Sequence, residues 1–165
     1  MNTEASILLY HGSNQPVQTP RLLASHHSLD FGSGFYLTSS LEQAQRWARR
    51  KTERSGNGTP VTTVFEVEQP FPGTLKVLMF HQPDEQWLDF VVANRKFRLT
   101  GNDYDIVIGP VANDQTMPTI NLYLDGFISK DAAIAELLPQ RLKNQFAFRS
   151  DASLKVLKFQ EVLYG

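Results

Sequence analysis

The sequence contains no cysteine, which removes disulfides, thiolate nucleophiles and zinc–thiolate sites together and leaves the redox compartment undetermined. A strong net charge is lacking as well. Lys and Arg number 16 against 17 Asp and Glu, so no global field draws the chain to nucleic acid or to an anionic membrane. No segment approaches the roughly 18 apolar residues of a membrane helix, and the opening "MNTEAS" has neither the basic region nor the apolar run of a secretory leader. The expectation is a soluble, cytoplasmic protein without a membrane partner. Histidine is sparse, and His26, His27 and His81 have no partners at metal-ligand spacing, so no metal site is assigned. Internal repeats and low-complexity tracts are also missing.

What is present is 41% hydrophobic content over 165 residues, enough for a single domain, 1–165, with a substantial core. "SILLYHGS" reads as a first strand that delivers Tyr10 and His11 to its end, and "NQPVQTPRLLASHHS" as an irregular excursion. "GFYLT" is a second short strand running directly into a helix, "SSLEQAQRWARRK", where Ser39 and Glu42 have capping-box spacing and Leu41, Ala44, Trp47 and Ala48 share a face. After the turn "SGNGTP", "VTTVFEVE" and "TLKVLMF" read as strands, and "PDEQWLDFVVANR" as a helix with Trp87, Phe90, Val91 and Asn94 on one side. "YDIVIGPV" is a buried strand. "NLYLDGFI" and "DAAIAELL" read as helices, the latter stopped by Pro139. "QFAFRS", beginning at Gln145, is a late strand, and "SDASLKVLKF" is a short helix or turn followed by strand. Strands and helices without strict alternation predict an α+β fold.

Taken singly, the candidates for chemistry are weak. His11 at a strand end suits a satisfied core histidine, and Trp47 suits the buried face of an amphipathic helix. "FGSGFY" suits a turn whose glycines supply positive φ, and it is no phosphate loop, because a strand and not a helix N-terminus follows. Gln145 reads as the polar partner in an alternating strand. Asp114 and Asn113 read first as turn formers, Asp30 as the residue before a glycine turn that could also, with Ser33, touch a bound nucleotide, and Arg95 as a cation suited to a helix C-terminus. Glu66 and Glu68 share the solvent side of their strand, and Glu161 is a remote acid. The basic run Arg46, Arg49, Arg50, Lys51 and Arg54 reads as a solvated helix face that could also steer a pyrophosphate or a nucleic-acid acceptor.

Their order and spacing carry more. "LYHGS", then "FGSGFYLTSS", an aromatic eleven residues beyond the tyrosine, and a polar residue opening a late strand together resemble the ADP-ribosyltransferase superfamily. The resemblance is to its His-Tyr-Glu branch of diphtheria-toxin-like and poly-ADP-ribose-polymerase-like domains. Through "QWLDFVVANR", "YDIVIGPVAND" and "NQFAFRSDASLKVLKF" the chain is most similar to a poorly characterised bacterial family of small ADP-ribosyltransferase-like proteins, over roughly residues 7 to 160.

That resemblance implies an ADP-ribosyltransferase-like fold of two packed, mostly antiparallel sheets with peripheral helices, and NAD as co-substrate without a metal. It implies that His11 bonds a ribose hydroxyl and that Gly12 offers its backbone to the nicotinamide carboxamide. Tyr36 stacks on the nicotinamide, and Trp47 packs on the other side in place of a more usual tyrosine. Ser13, Gly34 and Phe35 complete the implied dinucleotide site, with His11, Tyr36 and Gln145 as the catalytic set. The departure is Gln145, which stands where the branch carries its glutamate. Glutamine can orient a ribose but bears no charge to stabilise an oxocarbenium-like ribose, which disfavours poly-ADP-ribose chain building. The implied activity is single-unit transfer to a protein or nucleic-acid acceptor, in a bacterial toxin or conflict-system role with a cognate antitoxin as partner. A non-catalytic NAD or ADP-ribose module and an NAD glycohydrolase remain the alternatives. If residue 145 faces the ribose, Gln145→Glu is expected to preserve or raise nicotinamide release.

Overall fold

The structure is a computed structural model and describes residues 5–22, 30–97 and 104–165. Among these residues the chain runs β1 (Ala5–Ser13), β2 (Phe35–Leu37), α1 (Leu41–Ser55), β3 (Val61–Gln69), β4 (Val77–Met79), α2 (Glu85–Phe97) and β5 (Ile106–Pro110). It continues through α3 (Met117–Leu124), α4 (Lys130–Leu137), β6 (Asn144–Phe148), α5 (Asp151–Leu154) and β7 (Lys158–Tyr164). The fold is α+β, as expected. One sheet has the order β1-β3-β7 and is antiparallel throughout; the other has the order β2-β6-β5-β4 and is antiparallel except for the β4–β5 pair. A two-bond bridge between Tyr10 and Thr38, at 2.8 and 3.0 Å, joins the edges of the two sheets.

Strand alternation sorts the side chains into two cores. Leu9 of β1, Phe65 and Val67 of β3, Phe35 and Leu37 of β2, Ile106 and Ile108 of β5, and Phe146 and Phe148 of β6 form one cluster drawn from both sheets. The intervening residues Val107 and Ala147 instead join Trp87, Leu88 and Val91 of α2, Ile120 of α3, and Ala133 and Leu137 of α4. Tyr36, between Phe35 and Leu37, packs against this second cluster. Adjacent residues of β2 therefore serve opposite faces.

Three expectations about local structure change. The N-cap of α1 is Ser40, whose hydroxyl accepts from the Gln43 N–H at 3.2 Å, and not Ser39. Ser39 instead donates its N–H and hydroxyl to Asn144 Oδ1, each at 3.0 Å, pinning the β2–α1 joint to the start of β6. The helix expected over 121–128 begins four residues earlier, with Pro118 in its first turn, where a missing N–H costs nothing. It ends before Asp125 and Gly126, whose φ of 81° breaks the helical path. The strand expected over 74–80 contracts to Val77–Met79, because Leu75 is still bonded back to Pro72 in a turn.

The contact that sets α1 against β1 is made through Gly12. A Cβ there would lie 2.0 Å from the Ala44 carbonyl oxygen and 2.9 Å from the Ala48 nitrogen, both backbone atoms that no rotamer change can move. Gly12→Ala should therefore cost about 1–3 kcal/mol of stability, as overpacking does, while Gly73→Ala, which meets nothing within 4 Å, should stay within about 0.5 kcal/mol of the parent. Urea unfolding monitored by circular dichroism measures both; equal stability of the two variants would contradict the close helix–strand contact.

Candidate functional site

A cleft of about 1210 Å³ lies between the end of β1, the α1 helix and the loops flanking β2 and β5. Every residue that the sequence resemblance singled out lines it: His11, Gly12, Ser13, Gly34, Phe35, Tyr36, Trp47 and Gln145. These side chains come from β1, β2, α1 and β6, and only folding brings them to one wall. Beyond them, the irregular segment from Gln15 to Arg21 forms part of the rim.

His11 follows Leu9 on the inward side of β1, and its ring stacks on Phe35 at 4.1 Å and 19°. Its Nδ1 lies 2.7 Å from the Tyr36 carbonyl oxygen. A carbonyl can only accept, so Nδ1 carries the hydrogen and Nε2 keeps the lone pair. Burial pushes the His11 pKa down to about 4, opposed in part by the bond to the Tyr36 carbonyl and assisted to a smaller extent by the charge of Lys51. His11 at neutral pH is thus a fixed, uncharged imidazole whose remaining function is to accept a hydrogen bond.

Tyr36 is tied as firmly. Its hydroxyl donates to the Gly32 carbonyl at 2.7 Å and accepts from the Phe31 N–H at 2.9 Å, closing the "DFGSG" turn on itself. Gly32 has φ of 81°, the left-handed conformation expected of a turn glycine, whereas Gly34 has no positive φ and sits close to the Phe148 carbonyl. Burial first, and the nearby Asp30 carboxylate second, hold the Tyr36 phenol above its usual range. It remains a neutral ring throughout the physiological range. Trp47 lies one residue from Ala48, which packs on the sheet, and its half-buried indole faces the same cleft.

Gln145 is not the solvent-side member of an alternating strand. It is 3% exposed, and its Nε2 donates to Asp30 Oδ2 at 2.9 Å and to the Pro110 carbonyl at 3.3 Å. Asp30, 5% exposed, is bonded on Oδ1 by the Arg95 guanidinium, with Nε at 2.6 Å, and on Oδ2 by the Ala112 N–H at 3.0 Å. From the sequence Asp30 is a turn residue or a nucleotide contact, and Arg95 a helix-end cation. The structure instead makes them an ion pair that lines the cleft, with the carboxylate buried and the guanidinium 29% exposed. No local signal could have joined positions 30, 95, 112 and 145.

Other candidates sort by position. Asn113 does cap a turn, accepting from the Gln115 and Thr116 N–H groups at 2.9 and 3.1 Å. Asp114, beside it, forms an exposed ion pair with Arg50 of α1 across the rim of the cleft. Arg50, Lys51 and Arg54 line the cleft, whereas Arg46 pairs with Glu42 one turn away. Arg21, Arg50, Lys51, Arg54 and Arg95 oppose the carboxylates of Asp30, Glu53 and Asp114, so the cleft is net cationic although the chain is not. Glu66, Glu68 and Glu161 do not line it, and Glu68 pairs with Lys158 on the far strand. His81 is exposed, while His26 and His27 lie outside the described residues. Among the described residues no group of three or more His, Asp or Glu is arranged to hold a metal ion, and no helix is long and apolar enough to cross a membrane.

The lowered pKa of His11 has a measurable sign. Between about 4 and the ordinary 6.5 the unfolded chain binds a proton at this position that the folded chain refuses, so stability falls as pH is lowered through that window. Thermal unfolding of the parent and of His11→Gln between pH 4 and 7.5 should show the parent losing more stability on acidification. Parallel curves would mean that His11 is not held neutral by burial.

No curated protein matches the chain. A family profile covers residues 7–159, nearly the whole sequence, and on that match the chain belongs to the family described as "Protein of unknown function (DUF3990)".

Proposed function

We propose that the cleft binds NAD and that the protein is a mono-ADP-ribosyltransferase with an ADP-ribosyltransferase-like fold. The observation that carries this reading is the convergence of His11, Tyr36, Trp47 and Gln145, from four separate elements, on one net-cationic cleft. The chemistry of that wall suits a folded dinucleotide. Two aromatic rings offer faces to a planar nicotinamide, worth ~0.5–1.5 kcal/mol beyond burial. A neutral His11 with a lone pair on Nε2 suits a ribose hydroxyl, and the Arg50, Lys51 and Arg54 edge suits a pyrophosphate.

In the proposed reaction the bond between nicotinamide nitrogen and ribose C1′ breaks, nicotinamide leaves with the bonding pair, and positive charge spreads over C1′ and the ring oxygen. An acceptor nucleophile then bonds C1′ and loses its proton. The acceptor is a protein or nucleic-acid group, and a bacterial conflict role with a neutralising partner accords with such an activity. The site's part is to hold the sugar and the leaving group and to keep water from C1′.

A second reading, binding without turnover, has its own observation. The buried carboxylate of the cleft, Asp30, is already engaged by Arg95, Ala112 and Gln145, and position 145 itself carries no charge. Purified protein incubated with NAD labelled in the adenylate moiety and a cell extract decides between them. Transfer of label to a macromolecule is expected, with nicotinamide release; free ADP-ribose alone would identify a glycohydrolase, and binding with neither product a non-catalytic module. His11→Ala and Trp47→Ala should each weaken NAD binding by roughly threefold to tenfold, the worth of one hydrogen bond or one stacked ring, with unchanged circular dichroism. Undiminished binding by both variants would remove this cleft as the dinucleotide site.

A further inference from the structure

Gln145 is wedged between two oxygen acceptors, Asp30 Oδ2 at 2.9 Å and the Pro110 carbonyl at 3.3 Å. A primary amide has two N–H groups on one side and a carbonyl on the other, and turning the carbonyl toward a carboxylate would set two acceptors against each other. Asp30 cannot yield, because Arg95 and the Ala112 N–H hold its two oxygens and the carboxylate is buried. With both amide hydrogens directed at protein acceptors, what Gln145 retains for a ligand in the cleft it lines is its carbonyl oxygen.

We propose that Asp30 is a positioning residue that fixes the Gln145 amide so that this part of the cleft presents an acceptor, Oε1, and selects a hydroxyl-bearing ligand group over a phosphate or carboxylate. On the NAD reading above, on which the identity of the sugar rests, that group is the 2′-hydroxyl of the nicotinamide ribose. Asp30 acts through Gln145 and need not touch the ligand. The same geometry accounts for glutamine at 145: a carboxylate there would face Asp30 and the Pro110 carbonyl with no hydrogen to donate. The expectation that Gln145→Glu preserves or raises nicotinamide release is therefore replaced by one of loss.

Two measurements test the proposal, one of which needs no ligand. Thermal midpoints of the parent and of Gln145→Glu are compared from pH 4.5 to 8. Asp30 is the carboxylate that the introduced group meets; Arg95 on α2 is already bound to Asp30, and Tyr36 on β2 is neutral in this range. Burial and the Asp30 charge raise the introduced group's folded pKa above its unfolded value, so the variant should approach the parent near pH 4.5 and fall progressively below it toward pH 8. A difference that does not change with pH, or none at pH 8, would overturn the assignment. In the second measurement, calorimetry with NAD and with its analogue lacking the nicotinamide-ribose 2′-hydroxyl should show the parent preferring NAD by about tenfold, the worth of one hydrogen bond. Asp30→Asn and Gln145→Ala should each reduce that preference to about twofold or less, with no further loss in the double variant. An intact preference in Asp30→Asn would refute the positioning role. A parent that binds neither dinucleotide would refute the NAD reading alone, and the pH series would still decide the relation between Asp30 and Gln145.

Discussion

The Asp30 carboxylate is the point at which four parts of the chain meet. It sits in the turn before β2, takes the Arg95 guanidinium from α2, the Ala112 N–H from the segment after β5, and the Gln145 amide from β6. A buried carboxylate without such partners would be driven to protonate or to leave the interior. Its burial at 5% exposure therefore requires all of these elements to be in register. Removing one member of a buried pair leaves an uncompensated charge, which costs about 3–5 kcal/mol.

The other wall depends on steric closeness. Because Gly12 lets the α1 backbone rest on β1, the helix carries Trp47 and its cationic edge over the strand end that presents His11. The bond from His11 to the Tyr36 carbonyl then ties β1 to β2, beside the Tyr10–Thr38 bridge that links the two sheets. His11 and Gln145 have each spent their hydrogens on the protein, one by its tautomer and the other by its neighbours. Both are left as acceptors, as the proposed ribose contact requires.

Much of this was legible in the sequence where the signal is local. Period-two alternation in "VTTVFEVE", the apolar run of strand formers in "SILLYHGS", helical spacing in "PDEQWLDFVVANR", and the stop at Pro139 all correspond to observed elements. Boundaries were less legible where two local rules compete: Ser39 and Ser40 are both acceptable caps, and Asn144 decides between them by claiming Ser39. The cleft-lining set was accessible only through ordered spacing, since no single residue in it is unusual. Asp30 was legible as a residue near the site, but its partners were hidden, because an aspartate before a glycine turn and an arginine near a helix end each have an adequate local explanation. Their pairing spans 65 residues and is made only by the tertiary packing of α2 against the turn before β2.

On the proposed reading the cleft holds NAD with its nicotinamide ribose against two fixed acceptors. A crystal structure of the protein soaked with NAD tests it most directly. The nicotinamide ring is expected between Tyr36 and Trp47, with ribose hydroxyls within hydrogen-bonding distance of His11 Nε2 and Gln145 Oε1. Dinucleotide bound elsewhere, or bound here with Gln145 turned to present its nitrogen, would contradict it.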